Sequence, residues 1–110
     1  MKNPTRPKTP STLSREAQGW WRKLVEEYAL DDPAGLLLLQ TALEAFDRMR
    51  GAQELIQSEG ATVTDRFGQP KPHPATVIER DSRAGMMAAL RALNLDIEPL
   101  NDRPGRPAGR

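Results

Sequence analysis

Between Asp32 and Gly60 the apolar positions recur at helical spacing and nothing interrupts them. Asp32 suits a helix N-cap and Pro33 the first helical position. The next proline is Pro70, and Gly60 stands where a left-handed cap would end the run. The pattern predicts one long helix. At about 100° per residue, Leu38, Leu39, Ala42, Leu43, Ala45, Phe46, Met49, Ala52 and Ile56 cover about half of its circumference, wider than the roughly 100° stripe of an ordinary surface helix. A helix of that kind needs two neighbours. Leu36, Leu37 and Leu55 fall on the opposite, otherwise polar side with Gln40, Glu44, Asp47 and Arg48. Leu36 and Leu37 beside Leu38 and Leu39 form an apolar patch, so Leu36, Leu37, Leu38, Leu39 and Leu55 are read as a subunit contact.

Upstream, Ser14 caps a first helix with Glu16 in its first turn, and Ala17, Trp20, Trp21, Leu24 and Tyr28 share one face with Val25 at its edge. Both tryptophans are expected to point into the core. Downstream of Gly60 the periodicity changes. Val63 and Thr64 suit a short strand, Asp65 to Gly68 a turn with glycine in the left-handed position, and Pro70, Pro72 and Pro74 rule out a central strand. A short β-hairpin or ordered loop therefore links the second and third helices. Pro74 opens the third helix, which ends at Asn94, and Val77, Ile78, Ala84, Gly85, Ala88, Ala89, Ala92 and Leu93 make its broad, small-residue face. Leu95, Ile97 and Leu100 read as an extended segment laid on the core.

The predicted fold is therefore mainly α, a helical core of three helices with the hairpin or loop inserted and a flexible basic tail at each end. Its core residues are Trp20, Trp21, Leu24, Tyr28, Leu43, Phe46, Met49, Ile56, Leu90 and Leu93. Asp81 projects onto the apolar side of the third helix and Arg50 onto that of the second. Buried charges are normally paired, so these two are expected to meet.

Composition changes the picture at the ends. Residues 1–12 and 101–110 are rich in proline and basic side chains with almost no large apolar ones, which predicts disordered tails around a folded body of residues 13–100. A body this small buries a modest core, and association is one usual remedy. The formal net charge is +1, but residues 13–100 hold ten basic against fourteen acidic residues, a net of −4, while Lys2, Arg6, Lys8, Arg103, Arg106 and Arg110 lie on the tails. Positive ends on an acidic body fit a polyanion. Within the body, Arg80, Arg83 and Arg91 share the outer face of the third helix with Met87, its densest basic surface.

Candidate chemistry is sparse. There is no cysteine, which excludes a disulfide scaffold and a thiolate zinc site and fits a reducing interior. His73, the lone histidine, sits between Pro72 and Pro74 with no second histidine, cysteine or paired carboxylate to activate it, and reads as a cap or packing residue. Neither GxxxxGKS nor GxGxxG occurs. No catalytic residue, metal ligand or cofactor is assigned, and an enzyme is not expected. The longest run of large apolar residues, Leu36 to Leu39, is far short of the roughly 20 of a membrane span, and no signal peptide is recognised. A helix-turn-helix reading of the first two helices is disfavoured, because a recognition helix presents polar and basic residues at its start and this one begins Ala34, Gly35, Leu36, Leu37.

The order of features is more specific than any one of them. A tryptophan-bearing first helix followed by a long helix ending in ELIQSEGATVTDRFGQPKPHPATVIERDSRAGMMAALRALNLDIEPLNDR resembles the small terminase subunits of tailed bacteriophages. The resemblance rests on Leu55 and Gly60, Gly68 on the turn, His73-Pro74-Ala75 opening the last helix, and Leu90, Leu93, Leu95, Pro99 and Arg103. It spans about residues 13–103, with Asn94 where the family commonly has glycine. It implies a non-catalytic ring component acting in the host bacterial cytoplasm, which binds viral double-stranded DNA and recruits and regulates the large terminase subunit, the ATPase and nuclease of genome packaging. The DNA-binding residues would be Lys2, Arg6, Lys8, Arg80, Arg83, Arg91, Arg103, Arg106 and Arg110. Two other classes fit the residues: a head-completion or other structural phage oligomer without DNA affinity, and a small helix-turn-helix regulator.

Overall fold

The computed structural model of the chain describes residues 7–95. The fold is mainly helical, with three helices and a two-stranded antiparallel sheet in the order α1 (Arg15–Tyr28), α2 (Pro33–Glu59), β1 (Thr62–Thr64), β2 (Pro70–Pro72) and α3 (Pro74–Leu93). Among the described residues, no helix is long and apolar enough to cross a membrane.

The helix boundaries follow local chemistry. Ser14 Oγ accepts from the Ala17 N–H (3.0 Å) and Asp32 Oδ2 from the Gly35 N–H (2.8 Å), each satisfying one of the donors orphaned at a helix start. α1 ends on Ala29 in the left-handed region (φ 51°, ψ 46°), and α3 on Asn94 in the same region (φ 55°, ψ 44°). Gly60 ends α2 differently. It has φ 90° and ψ 155°, a conformation essentially reserved for glycine, which turns the chain straight into β1.

The proline-rich arm pairs as an edge strand of the expected hairpin, because in a two-stranded ribbon both strands are edges. The ladder bonds His73 N to Ala61 O (2.8 Å) and Asp65 N to Gln69 O (2.9 Å) fall at odd positions, and Val63 faces Lys71. Pro70 and Pro72 occupy the alternate positions, where no N–H is needed for the ladder. At the tip Asp65 Oδ1 accepts from the N–H groups of Phe67 (2.8 Å) and Gln69 (2.9 Å), with Gly68 at φ 80° closing the turn.

The principal packing is of α3 along α2, and α1 packs on α2 through a smaller contact. Leu13, Ala17, Trp21 and Val25 meet Leu39, Leu43, Phe46 and Met49 in one cluster, and Leu24, Leu30, Leu36, Met86 and Leu93 pack around it. Ser14 fastens α1 to α2 by donating to Asp47 from both its N–H (2.8 Å to Oδ2) and its hydroxyl (2.6 Å to Oδ1).

Several expectations need correction. Trp21 is buried, but Trp20 is 44% exposed, because residues adjacent on a helix lie about 100° apart and cannot both face one partner. Leu39 is fully buried and Leu36 packs against the core cluster, so these two leucines of the proposed contact belong to the interior. Leu37 (65%) and Leu55 (43%) are exposed, and Leu38 is half-buried. Tyr28, Leu24, Ile56, Leu90 and Leu93 are half-buried, while Leu43, Phe46 and Met49 lie in the core as expected.

The core-facing stripe of α3 sits about 120° round from the small-residue face predicted for it. Ala75, Ser82 and Ala89 are buried and Met86, Leu90 and Leu93 half-buried. Val77, Ile78, Ala84, Gly85, Ala88 and Ala92 are exposed. Each buried methylene contributes about 0.8 kcal/mol, so Met86, Leu90 and Leu93 outweigh a wider row of alanines and glycine. Asp81 and Arg50 do not meet. Arg50 pairs with Glu16 (3.2 Å) and Asp81 with Arg80 (3.3 Å), all four side chains at least 47% exposed.

Candidate functional site

α3 divides its surface into three sectors, each about a third of the circumference at 100° per residue. One is the core stripe. The second carries Arg80, Arg83, Met87 and Arg91, all exposed. Its charge is partly compensated. Arg83 is bonded to Glu79 one turn earlier, and Glu79 also accepts from Gln53 Nε2 of α2 (3.1 Å), which holds that carboxylate half inside. Arg80 is paired with its neighbour Asp81. Arg91, in the last turn where a cation complements the helix dipole, has no ion-pair partner among the described residues. The sector is thus three guanidinium groups with one uncompensated charge at its C-terminal end.

The third sector is the exposed apolar one, Val77, Ile78, Ala84, Gly85, Ala88 and Ala92, with Val77 45% and Ile78 47% exposed. Its small side chains leave the backbone approachable. Leu37 and Leu55 add exposed apolar surface at the two ends of α2.

His73 does what a cap residue should. Its Nδ1 accepts from the Ala75 N–H (2.9 Å), so the ring proton lies on Nε2, which donates to Glu59 Oε1 (2.7 Å). The imidazole, only 8% exposed, ties the end of α2 to the start of α3 across the base of the hairpin. Among the described residues no group of three or more His, Cys, Asp or Glu comes together as a metal site would require.

The hairpin presents one group the sequence reading passed over. Phe67 is 76% exposed at the tip, with the Arg66 guanidinium 5.4 Å from its ring centre, and the two Asp65 bonds hold its backbone in place. A phenylalanine inside a polar turn, Asp65-Arg66-Phe67-Gly68, was the available signal. Asp47 and Glu79 were also missed as tethers between helices, since each is an ordinary surface acid in the pattern.

Of the nine residues assigned to DNA, the structure brings Arg80, Arg83 and Arg91 together on one face and leaves Lys8 exposed on a segment whose Pro7 and Thr9 line a small cleft with Trp21, Arg22 and Val25. Lys2, Arg6, Arg103, Arg106, Arg110, Ile97 and Leu100 lie outside the described residues; of the tails predicted to be disordered, 1–12 and 101–110, residues 7–12 are described, with Pro7 and Thr9 laid against Trp21 and Pro10 O accepting from the Leu13 N–H, and the rest lie outside. Comparison with protein-family models, with curated proteins and with solved structures finds no match for this chain.

Proposed function

We propose that the chain is a small terminase subunit of a tailed bacteriophage: a non-catalytic homo-oligomer, acting in the host bacterial cytoplasm, that binds viral double-stranded DNA and recruits and regulates the large subunit. The reading starts from the resemblance carried by Leu55, Gly60, Gly68, His73-Pro74-Ala75, Leu90 and Leu93. The observation that carries it further is the division of α3. An apolar sector of Val77, Ile78 and small residues is left uncovered beside a basic sector of Arg80, Arg83 and Arg91. Contiguous exposed apolar surface of this kind marks association, and a repeated assembly multiplies a modest basic sector into a strong field for a duplex.

In this reading the tails add to the field. Six basic residues, Lys2, Arg6, Lys8, Arg103, Arg106 and Arg110, sit on proline-rich stretches that follow a phosphate backbone without folding. The folded body is net acidic, so binding is electrostatic and of low sequence specificity per subunit.

The test is the particle mass by light scattering together with duplex affinity measured across a salt series. Each phosphate neutralised contributes about 0.9 to the slope of log affinity against log salt. An assembled particle should show a slope above the roughly 5.4 that the six basic tail residues of one chain would supply. Deleting residues 1–6 and 101–110 should flatten the slope while the particle persists. A strictly monomeric chain at tens of micromolar, or an oligomer with no salt-dependent affinity for DNA, would overturn the proposal, the second result pointing to a structural phage protein.

A further inference from the structure

The hairpin is an arm that the helical body does not use for its core. Both strands are exposed apart from half-buried Val63, and the helices pack on one another without them. A lone pair of strands is marginal in water, yet this one is fastened at both ends. At the base the His73 N–H donates to Ala61 O (2.8 Å) and the imidazole holds Glu59 of α2 (2.7 Å). At the tip Asp65 Oδ1 accepts from Phe67 and Gln69, and the Gly68 N–H donates to Asp65 O (3.0 Å). Pro70 and Pro72 fix φ along the second strand. The arm is therefore stiff, and its tip is held at a set place.

What it holds out is Phe67. At 76% this is the most exposed large apolar side chain among the described residues, and the Arg66 guanidinium lies 5.4 Å from its ring centre. Residues 61–72 carry Arg66 and Lys71 against Asp65 alone, whose Oδ1 is occupied by two backbone donors. An apolar tip flanked by cations matches a DNA duplex, which has phosphates outside and stacked bases within. It matches a protein surface less well. One aromatic and one arginine on a turn bury far less than the roughly 1,000 Å² that a stable protein interface needs, whereas on DNA the phosphate contacts of a whole assembly supply the affinity.

Dimensions choose the groove. The minor groove is about 6 Å wide and about 7.5 Å deep, which admits a single aromatic side chain but not two strands about 4.8 Å apart with their side chains. Lys71 is set back from Phe67 by roughly 10 Å at about 3.3 Å per residue, farther than the groove is deep, so its ammonium stays at the phosphate rim. Reading bases in the major groove would take amide or guanidinium groups along a strand face. Here Val63 and Lys71 share one face, and Thr62, Thr64, Pro70 and Pro72 the other.

We propose that the hairpin is a minor-groove arm for double-stranded DNA. Phe67 wedges into one base step, Arg66 lies in the groove beside it, and Lys71 meets a phosphate at the rim. The inference deepens the proposed DNA-binding role and rests on it, adding a deformation of the duplex that flexible basic tails cannot impose. Pyrimidine–purine steps unstack most easily, so TA and CA steps are the preferred sites of insertion.

The test uses the full chain and a short duplex with 2-aminopurine at a TA step and a dye at each end. Wild type should raise the 2-aminopurine emission and the energy transfer between the ends, the signs of unstacking and bending. Phe67→Ala should lose both signals and about tenfold in affinity, with the salt slope, melting temperature and particle mass unchanged. Phe67→Trp should keep the signals. Lys71→Gln should lower the salt slope by about 0.9 for each arm engaged and leave the unstacking in place. Salt-dependent binding without unstacking in the wild type, or unstacking that survives Phe67→Ala, would overturn the arm and leave the proposed function standing. A fall in particle mass in Phe67→Ala would overturn it by giving the tip to a second copy. A wild-type chain with no affinity for the duplex would overturn both.

Discussion

Leu37 and Leu39 are two residues apart on one helix and sit in opposite environments. Leu39 is fully buried in the core cluster, whereas Leu37 is 65% exposed. Leu39→Ala deletes the largest fully buried side chain among the described residues and leaves a cavity, a loss of about 2 to 5 kcal/mol against a total stability on the order of 5 to 15 kcal/mol for a domain of this kind. Leu37→Asp touches little within the subunit and should change its own stability by about 0.5 kcal/mol or less. Its effect belongs to association, because a leucine covered by a neighbour contributes about 1.5 to 3 kcal/mol that an aspartate forfeits. Urea unfolding at several protein concentrations, with light scattering on the same samples, separates the two. The stability of an oligomer rises with concentration, so Leu39→Ala should lower the midpoint at every concentration and keep the dependence, while Leu37→Asp should abolish the dependence and reduce the mass. If Leu37→Asp lowers the dilute-limit midpoint as far as Leu39→Ala, or leaves the mass as it was, the assignment of Leu37 to a subunit contact is wrong.

Two further substitutions probe the joints between elements. His73→Ala removes both the α3 cap and the tie to Glu59 and should cost about 1 to 2 kcal/mol, whereas His73→Asn, a good cap that cannot reach Glu59 in the same way, should recover about half of the loss in urea titrations. Asp47→Ala frees the start of α1 by deleting both bonds from Ser14, at about 1 to 2 kcal/mol because the site is partly solvated. Amide exchange should accelerate in α1 while the α2 and α3 amides keep their protection, and uniform acceleration would show that α1 is not a separable element.

Where an element is bounded by its own side chains, the sequence was enough. Ser14, Asp32-Pro33, Gly60, Gly68, His73-Pro74 and Asn94 each act on backbone within a few residues, and each helix and the turn begin or end where those residues stand. The rotation of α3 was not legible in the same way. Its small-residue face and its Met86, Leu90, Leu93 stripe are both apolar, and which of them meets α2 depends on the fit to the cluster of Leu43, Phe46 and Met49, a property of two helices together. Counting apolar positions favoured the wider stripe, and weighing them by buried volume favours the one observed. The same limit applies at Trp20 and Trp21, where the pattern placed both on one broad face and the actual partner covers only one.

Asp81 and Arg50, whose places on apolar faces in the sequence call for a mutual pair, are satisfied separately. In the structure each is paired within the subunit, Arg50 with Glu16 of α1 and Asp81 with its neighbour Arg80, and each is at least 47% exposed, so neither demands a charged partner from another copy. Asp81 nonetheless lies within the exposed sector of Val77, Ile78, Ala84, Gly85, Ala88 and Ala92, and a neighbour that covers this sector must leave its carboxylate solvated or supply a donor. That disfavours a face-to-face pairing of two identical sectors, which would bring two Asp81 carboxylates together across a two-fold axis with only Arg80 on each side to offset them. A heterologous contact, in which the sector of one copy meets a different surface such as the Leu37 end of the next, avoids the repulsion. Repeated head to tail, contacts of that kind form a ring when the rotation between copies closes and a filament when it does not, so within the proposed oligomer Asp81 argues only against a two-fold dimer through this sector.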